Sequence, residues 1–350
     1  MLPFISVVIP VRNEALHVPA VLQDLVAQDY PADRYEIIVA DGNSTDGTVE
    51  EIERLGSKNS LPRLAIVQNP RRLASAGRNA GVRQSRGDLL VFVDGHCRIS
   101  NSALLRTTAE LFQSTGADCL CRPQPLQTPG NRFLQQLIAD ARATWFGHGR
   151  GSTIYLSDYE GPADPRSSGA SYRRTVFNEV GFYDESFDAC EDVEFNHRVY
   201  KAGLKSYFSS RLEVLYAPRD SFIGLWRQMI RYGRGRVRLA RKHRDAFSPS
   251  QTLPAALVLA VALGLITAPL LVTSALLLAG VAGVWLAVAV VFSVRLARRR
   301  GPIALVLAPM VFATIHGGLG AGMWAELLGR ALKAGSPASS TGSARWDSAQ

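Results

Sequence analysis

No charged residue occurs between Leu253 and Val294. A stretch of that length is enough for two membrane spans of roughly 20 residues each. A helical hairpin buried in a soluble protein is the rival reading, and uncharged runs this long favour the membrane. The turn between the spans is expected at Ala279-Gly280-Val281-Ala282-Gly283, with Thr273-Ser274 as an alternative. A third apolar stretch runs from Ile303 to Trp324 and contains His316 and several glycines. It is expected to span, leaving the tail outside; its glycines also allow a shallow interfacial segment. Basic blocks at Arg227–Arg244 and Arg295–Arg300 flank the charge-free stretch. Positive-inside bias places both in the cytoplasm.

Composition supports this division. Hydrophobic residues make up 47% of the chain and the mean hydropathy is +0.04, high for a soluble enzyme, with most of the excess after residue 252. The net charge of +9 is concentrated beside the apolar segments. It therefore suits a membrane surface rather than nucleic acid. The start, Met1-Leu2-Pro3-Phe4, leads directly into an apolar β-branched run, so no signal peptide is expected and residues 1–250 should stay in the cytoplasm. The residues after Lys333 are rich in Ser, Ala and Gly, and a disordered tail is expected over 331–350.

The first part of the chain alternates two periodicities. Ile5–Pro10, Tyr35–Ala40, Leu64–Val67 and Leu89–Val93 read as buried strands. Helical patterns begin at Val18, Asp46, Ala74 and Asn101. Such alternation predicts an α/β fold, a parallel sheet with helices on both faces. Further on, helices are expected over Arg132–Thr144, Phe177–Val180 and Glu191–Lys201, with a loop from Gly147 to Gly169. The cysteines Cys97, Cys119, Cys121 and Cys190 match no zinc spacing and read as buried, reduced thiols.

Asp41 and Asp94 each close a strand. Open α/β sheets bind ligands at the carboxyl ends of their strands. Glu191-Asp192 and then Gln228-Met229-Ile230-Arg231-Tyr232 follow. Strand-end carboxylates, an acidic pair and an arginine cluster describe a site that holds a charged nucleotide and removes a proton.

In that order, these segments resemble the inverting family 2 glycosyltransferases over roughly residues 3 to 240. The resemblance implies the Rossmann-like GT-A fold and a nucleoside-diphosphate-sugar donor, with a UDP-sugar expected. It implies donor binding by Pro10, Glu14, Asp41, Arg72, Arg78 and Asp94. Asp94-Gly95-His96 stands where the family has Asp-x-Asp, so Asp94 and His96 become the expected metal ligands. Imidazole suits Mn²⁺ better than Mg²⁺, which prefers oxygen ligands. The resemblance also makes Asp192 the catalytic base, with Glu191 beside it raising its pKa or holding the acceptor. It places the acceptor near Tyr172, Arg173, Gln228, Arg231 and Tyr232, the last standing where the family has Trp. The run Gly233-Arg234-Gly235-Arg236 resembles members of the succinoglycan-biosynthesis (ExoA-like) type, which extend lipid-linked oligosaccharides.

The resulting expectation is a multi-pass inner-membrane enzyme in exopolysaccharide or cell-envelope glycan synthesis. It comprises a cytoplasmic catalytic domain at 1–245 and a membrane domain of two to three helices at 246–330. Its partners are a nucleotide-sugar, a polyprenyl-linked saccharide acceptor and the membrane. The alternatives are glycosylation of polyprenyl phosphate itself, nucleotidyl transfer, and non-catalytic nucleotide-sugar binding. A processive synthase fits less well, because so few spans leave little room for a channel.

Overall fold

A computed structural model of the chain describes residues 2–57, 62–128, 130, 132–149, 154–155 and 158–334. Strand β1 (Ile5–Val11) lies between β2 (Tyr35–Asp41) and β4 (Leu89–Phe92), both parallel to it. Strand β3 (Arg63–Gln68) pairs parallel with β2. Helices cover both faces, so β2 is buried throughout and its sequence is a near-continuous apolar run. Helices α1 (Val18–Val26) and α2 (Thr48–Gly56) pack on one face; α3 (Ala74–Gln84) packs on the other.

The sheet is only half parallel. After β5 (Cys97–Arg98), α4 (Leu104–Thr115) and β6 (Cys119–Cys121) come α5 (Phe133–Arg142), α6 (Trp145–His148) and β7 (Glu160–Pro162). Strand β8 (Gly169–Arg173) then enters antiparallel to both β4 and β6. Helices α7 (Arg174–Val180) and α8 (Glu191–Lys201) complete the second face. Strand β9 (Ser206–Ser209) joins the far edge, giving the order β3-β2-β1-β4-β8-β6-β9-β7. Strand β10 (Leu215–Tyr216) pairs antiparallel with β5 in a separate ribbon.

Four helices follow. The long basic helix α9 (Phe222–Lys242) leads into α10 (Leu253–Thr267), α11 (Val272–Arg300) and α12 (Ile303–Ala334). The turn between α10 and α11 falls at 268–271, not at the expected glycines. Pro269 lacks the amide donor a helix needs, whereas Gly280 and Gly283 only weaken one and lie within α11. Three segments are long and apolar enough to cross a membrane: Pro249–Thr267, Val272–Arg300 and Ile303–Gly329. The first two are 6% buried over their apolar windows and the third 44%.

Helix α12 is more buried because it lies along α9 and the end of the domain that α5 forms. Ala304, Ala308, Val311, Phe312 and Ile315 are fully buried, in one cluster with Leu137 and Ile138 of α5 and Leu225 and Met229 of α9. Just before it, Arg300 pairs with Asp140 of α5 at 2.6 Å. Near its other end, Glu326 pairs with Arg238 of α9 at 3.0 Å. These two fastenings lie on opposite ends of about 33 Å of helix. The helix runs to Ala334, so the expected tail at 331–350 begins inside it; the remainder lies outside the described residues.

Candidate active site

The carboxyl ends of β1 and β4 open into a cavity of about 2090 Å³. Pro10 and Glu14 enter it from the β1 end, Arg72 and Arg78 from around α3, and Asp94 and His96 from the β4 end. The two strand ends are tied together, since His96 Nδ1 lies 3.0 Å from Glu14 Oε1. The β5–β10 pairing sets Tyr216 edge-on against the His96 ring, with centroids 4.7 Å apart. Buried His96 Nε2 has no hydrogen-bond partner among the described residues.

Arg78 organises the acids. One guanidinium nitrogen donates to Asp94 Oδ1 at 3.0 Å and another to Glu191 Oε1 at 2.6 Å. Burial pushes the Asp94 carboxyl up, but Arg78 and His96 outweigh it and hold the group below its ordinary range. Glu191 is 7% exposed, and there burial wins over Arg78, so its pKa is raised. Asp192, the next residue, is exposed to the cavity. Its Oδ1 accepts only the neighbouring Val193 amide among the hydrogen bonds described, at 2.8 Å. The pair is thus split: Glu191 is locked to Arg78, and Asp192 is available.

Cys190 forces this split. It precedes α8 in the left-handed region, φ 62. Asn13 and Arg72 also have positive φ and also line the cavity. Left-handed non-glycine residues are strained and gather where surrounding structure over-determines them. Here the over-determining element is α9. A Cβ on Gly235 would come within 2.6 Å of the Ala189 carbonyl and 2.8 Å of Cys190 Sγ.

Three expected ligand residues lie elsewhere. Asp41 is 2% exposed and accepts the Ser44 amide; it shapes the loop after β2 and does not line the cavity. Tyr172 is fully buried among Phe92, Phe177 and Phe195, with its hydroxyl 2.7 Å from Asn196 Oδ1. Arg173 points to the opposite side of the sheet, where it donates to the Ala117 carbonyl at 2.8 Å. Neither lines the cavity. Gln228, Arg231 and Tyr232 do reach the cavity. Gln228 Nε2 lies 3.3 Å from both the Tyr216 and Tyr232 hydroxyls.

Arg142, His148, Tyr155 and Tyr216 also line the cavity; as isolated residues in no motif they carry no signal in the sequence. Its far wall is apolar and comes from α10 and α11, including Leu257, Leu277, Val281 and Val284. His197, His243 and Asp245 converge behind α8, where they could hold a metal, but they lie outside this cavity. All four cysteines are free thiols.

The glycosyl transferase family 2 profile matches residues 6–181. The chain is 33% identical over 328 residues to the succinoglycan biosynthesis protein ExoA of Rhizobium meliloti, covering 92% of this chain and 94% of that protein. It is 26% identical over 243 residues to the dolichyl N-acetyl-alpha-D-glucosaminyl phosphate 3-beta-D-2,3-diacetamido-2,3-dideoxy-beta-D-glucuronosyltransferase of Methanococcus voltae, covering 68% of this chain and 74% of that protein. Among solved structures it resembles the mannosyltransferase PcManGT from Pyrobaculum calidifontis, in complex with GDP-Man and Mn²⁺, with TM-score 0.59 and 20% identity. That match covers 94% of this chain and 88% of the other, and it shows the shared fold.

Proposed function

Since the chain belongs to glycosyl transferase family 2 and is a glycosyltransferase of GT-A fold, we propose that it transfers a sugar, with inversion, from a nucleoside diphosphate to a lipid-linked saccharide at the cytoplasmic face of a membrane. Nucleotidyl transfer and non-catalytic binding fall away with that membership. One observation carries the reading. A single cavity runs from the polar strand ends at Pro10, Glu14 and Asp94, past exposed Asp192, to an apolar wall on α10 and α11. A donor with a charged diphosphate fits the first end, and an acceptor with an apolar anchor fits the other. The names of the relatives point the same way, toward succinoglycan and a dolichyl-linked sugar.

In this reading Asp192 accepts the proton of an acceptor hydroxyl as that oxygen attacks the anomeric carbon. Glu191 acts as an anchor for Arg78, which keeps Asp94 ionised. Pro10, Glu14, Arg72 and Arg78 surround the donor, with Asp41 supporting the loop beneath. Gln228, Arg231 and Tyr232 face the acceptor. Asp94 and His96 would hold a divalent ion, and the unpartnered Nε2 of His96 suits one, with Mn²⁺ preferred over Mg²⁺. Such an ion neutralises charge on the departing diphosphate.

The same reading fixes the topology. Helices α10 and α11 cross the bilayer and return the chain at Arg295–Arg300. Helix α12 lies in the interface, because a spanning helix could not pair near both its ends with a domain on one side. The catalytic domain ends near residue 245 and the membrane part occupies 246–330. The direct test uses purified full-length protein in detergent with a panel of nucleotide-sugars. Nucleoside diphosphate release should require membrane lipid extract for one of them. Lipid-independent release, or none with any donor, would defeat the proposal.

A further inference from the structure

Arg142 ends α5 and lines the same cavity as Asp94, Asp192 and the apolar residues of α10 and α11. It is 3% exposed, yet among the described residues no carboxylate forms an ion pair with it. One of its nitrogens donates to the Tyr155 hydroxyl at 2.8 Å, and another reaches Gln228 Oε1 only at 3.5 Å. Its Nε has no partner. Arg78, the other buried arginine of this cavity, sits between two acids. Removing a guanidinium from water without a counter-charge costs several kcal/mol, so a fold that does so keeps a place for an anion.

The surroundings add positive charge. Arg236 of α9 lines the same wall. His148 is pushed down to about 3 by burial and by the fields of Arg142 and Arg236, so it stays neutral. Tyr155, Tyr216 and Tyr232 offer hydroxyls but no negative charge. An anion here would share the cavity with two flanks, exposed Asp192 and the apolar side chains of Leu257, Leu277 and Val281. A free phosphate uses neither flank. A phosphate ester with a sugar on one side and a long hydrocarbon on the other uses both.

We propose that Arg142, held by Tyr155 and Gln228 with Arg236 beside it, binds the phosphate that joins an isoprenoid chain to the acceptor sugar. The planar fork of arginine suits two phosphate oxygens at once. The hydrocarbon lies against α10 and α11, and the sugar is directed at Asp192. This inference rests on the lipid-linked acceptor reading above and names the residue that recognises the lipid phosphate.

The test is equilibrium binding to full-length protein in detergent, with the donor end filled by saturating UDP and Mn²⁺. The probes are farnesyl diphosphate, farnesol and inorganic pyrophosphate. Farnesyl diphosphate should bind best. Arg142→Gln should weaken it about 10- to 100-fold, as expected for charge-assisted hydrogen bonds, and Arg142→Lys should fall between. Farnesol should bind weakly and equally to all three proteins. UDP affinity reports whether each variant is folded; if Arg142→Gln does not fold, Arg236→Gln carries the test, with weakening expected. Equal farnesyl diphosphate affinity in the wild type and a folded variant overturns the assignment. Pyrophosphate binding as tight as farnesyl diphosphate makes this a site for free anions and overturns the lipid source. Loss of UDP affinity with lipid binding intact moves Arg142 to the donor. If the site fails while lipid-dependent diphosphate release persists, the acceptor reading survives; if release also fails, both fall.

Discussion

Arg78 is the side chain on which the ionisation of the site depends. Without it, Asp94 and Glu191 would face each other buried and unpaired. Breaking a buried ion pair from one side costs about 3 kcal/mol or more, so Arg78→Met should lower the melting temperature by several degrees. The loss has a definite pH dependence. With the guanidinium gone, the folded-state pKa of both carboxyls rises above the unfolded value, and such groups destabilise once pH exceeds that value. The gap between variant and wild type should therefore be wider at pH 8 than at pH 5 in thermal melts; an equal gap would mean that water solvates the acids. Asp192→Asn should leave donor affinity unchanged and reduce turnover by roughly 10²- to 10⁴-fold, the range for a general base. Turnover within tenfold would remove Asp192 from that role. Asp94, Glu191 and Asp192 were legible because each stands where a strand ends or a helix begins. Tyr172 and Arg173, expected near the acceptor, lie away from the cavity, because chain order says nothing about which face of β8 a side chain takes. Arg142 was silent, since a lone arginine at a helix end looks like any surface charge until its burial is known.

Helix α9 links chemistry to membrane. Its Gly235 lets the helix touch the strained Ala189–Cys190 turn that presents Asp192. Its Gly233 meets the α12 backbone, where a Cβ would lie 2.2 Å from the Leu319 carbonyl. Gly235→Ala should cost about 1–3 kcal/mol through overpacking. It should reduce turnover well beyond what that loss explains, because the displaced atoms precede the base. Melting curves beside rates at a temperature where the variant is fully folded will separate the two effects. Normal turnover there would show that the turn relaxes without moving Asp192. At this scale the sequence was informative wherever a period repeats. The four parallel strands fall within a residue or two of expectation. The antiparallel entry of β8 was hidden, because the direction of a short strand is set by partners far away in sequence. The hairpin turn lies near the alternative at Thr273-Ser274 rather than at the glycines, because Pro269 breaks a helix where glycine only weakens one.

Taken whole, the molecule has two exposed apolar helices, α10 and α11, and a third, α12, packed as a strap along α9 and α5. A cysteine introduced at Leu270, exposed in the α10–α11 turn, should react with a membrane-impermeant thiol reagent in intact cells. One at Gly329 should not if α12 stays on the catalytic side as proposed. Labelling at Gly329 would show that α12 crosses and that its ion pairs to Asp188-bound Arg238 form differently in the membrane. The strap has a further effect. Arg300–Asp140 and Arg238–Glu326 fasten α12 to the domain carrying Asp192; if α12 rests in the interface as proposed, the height of that carboxylate above the lipid is a constant of the molecule. A glycan growing outward from a lipid phosphate cannot keep its newest hydroxyl at a constant height. On the proposed lipid-linked acceptor each transfer would lift the new end out of reach, so mass spectrometry of a single purified acceptor should show one added sugar, whereas a ladder of products would mean that the strap lets go.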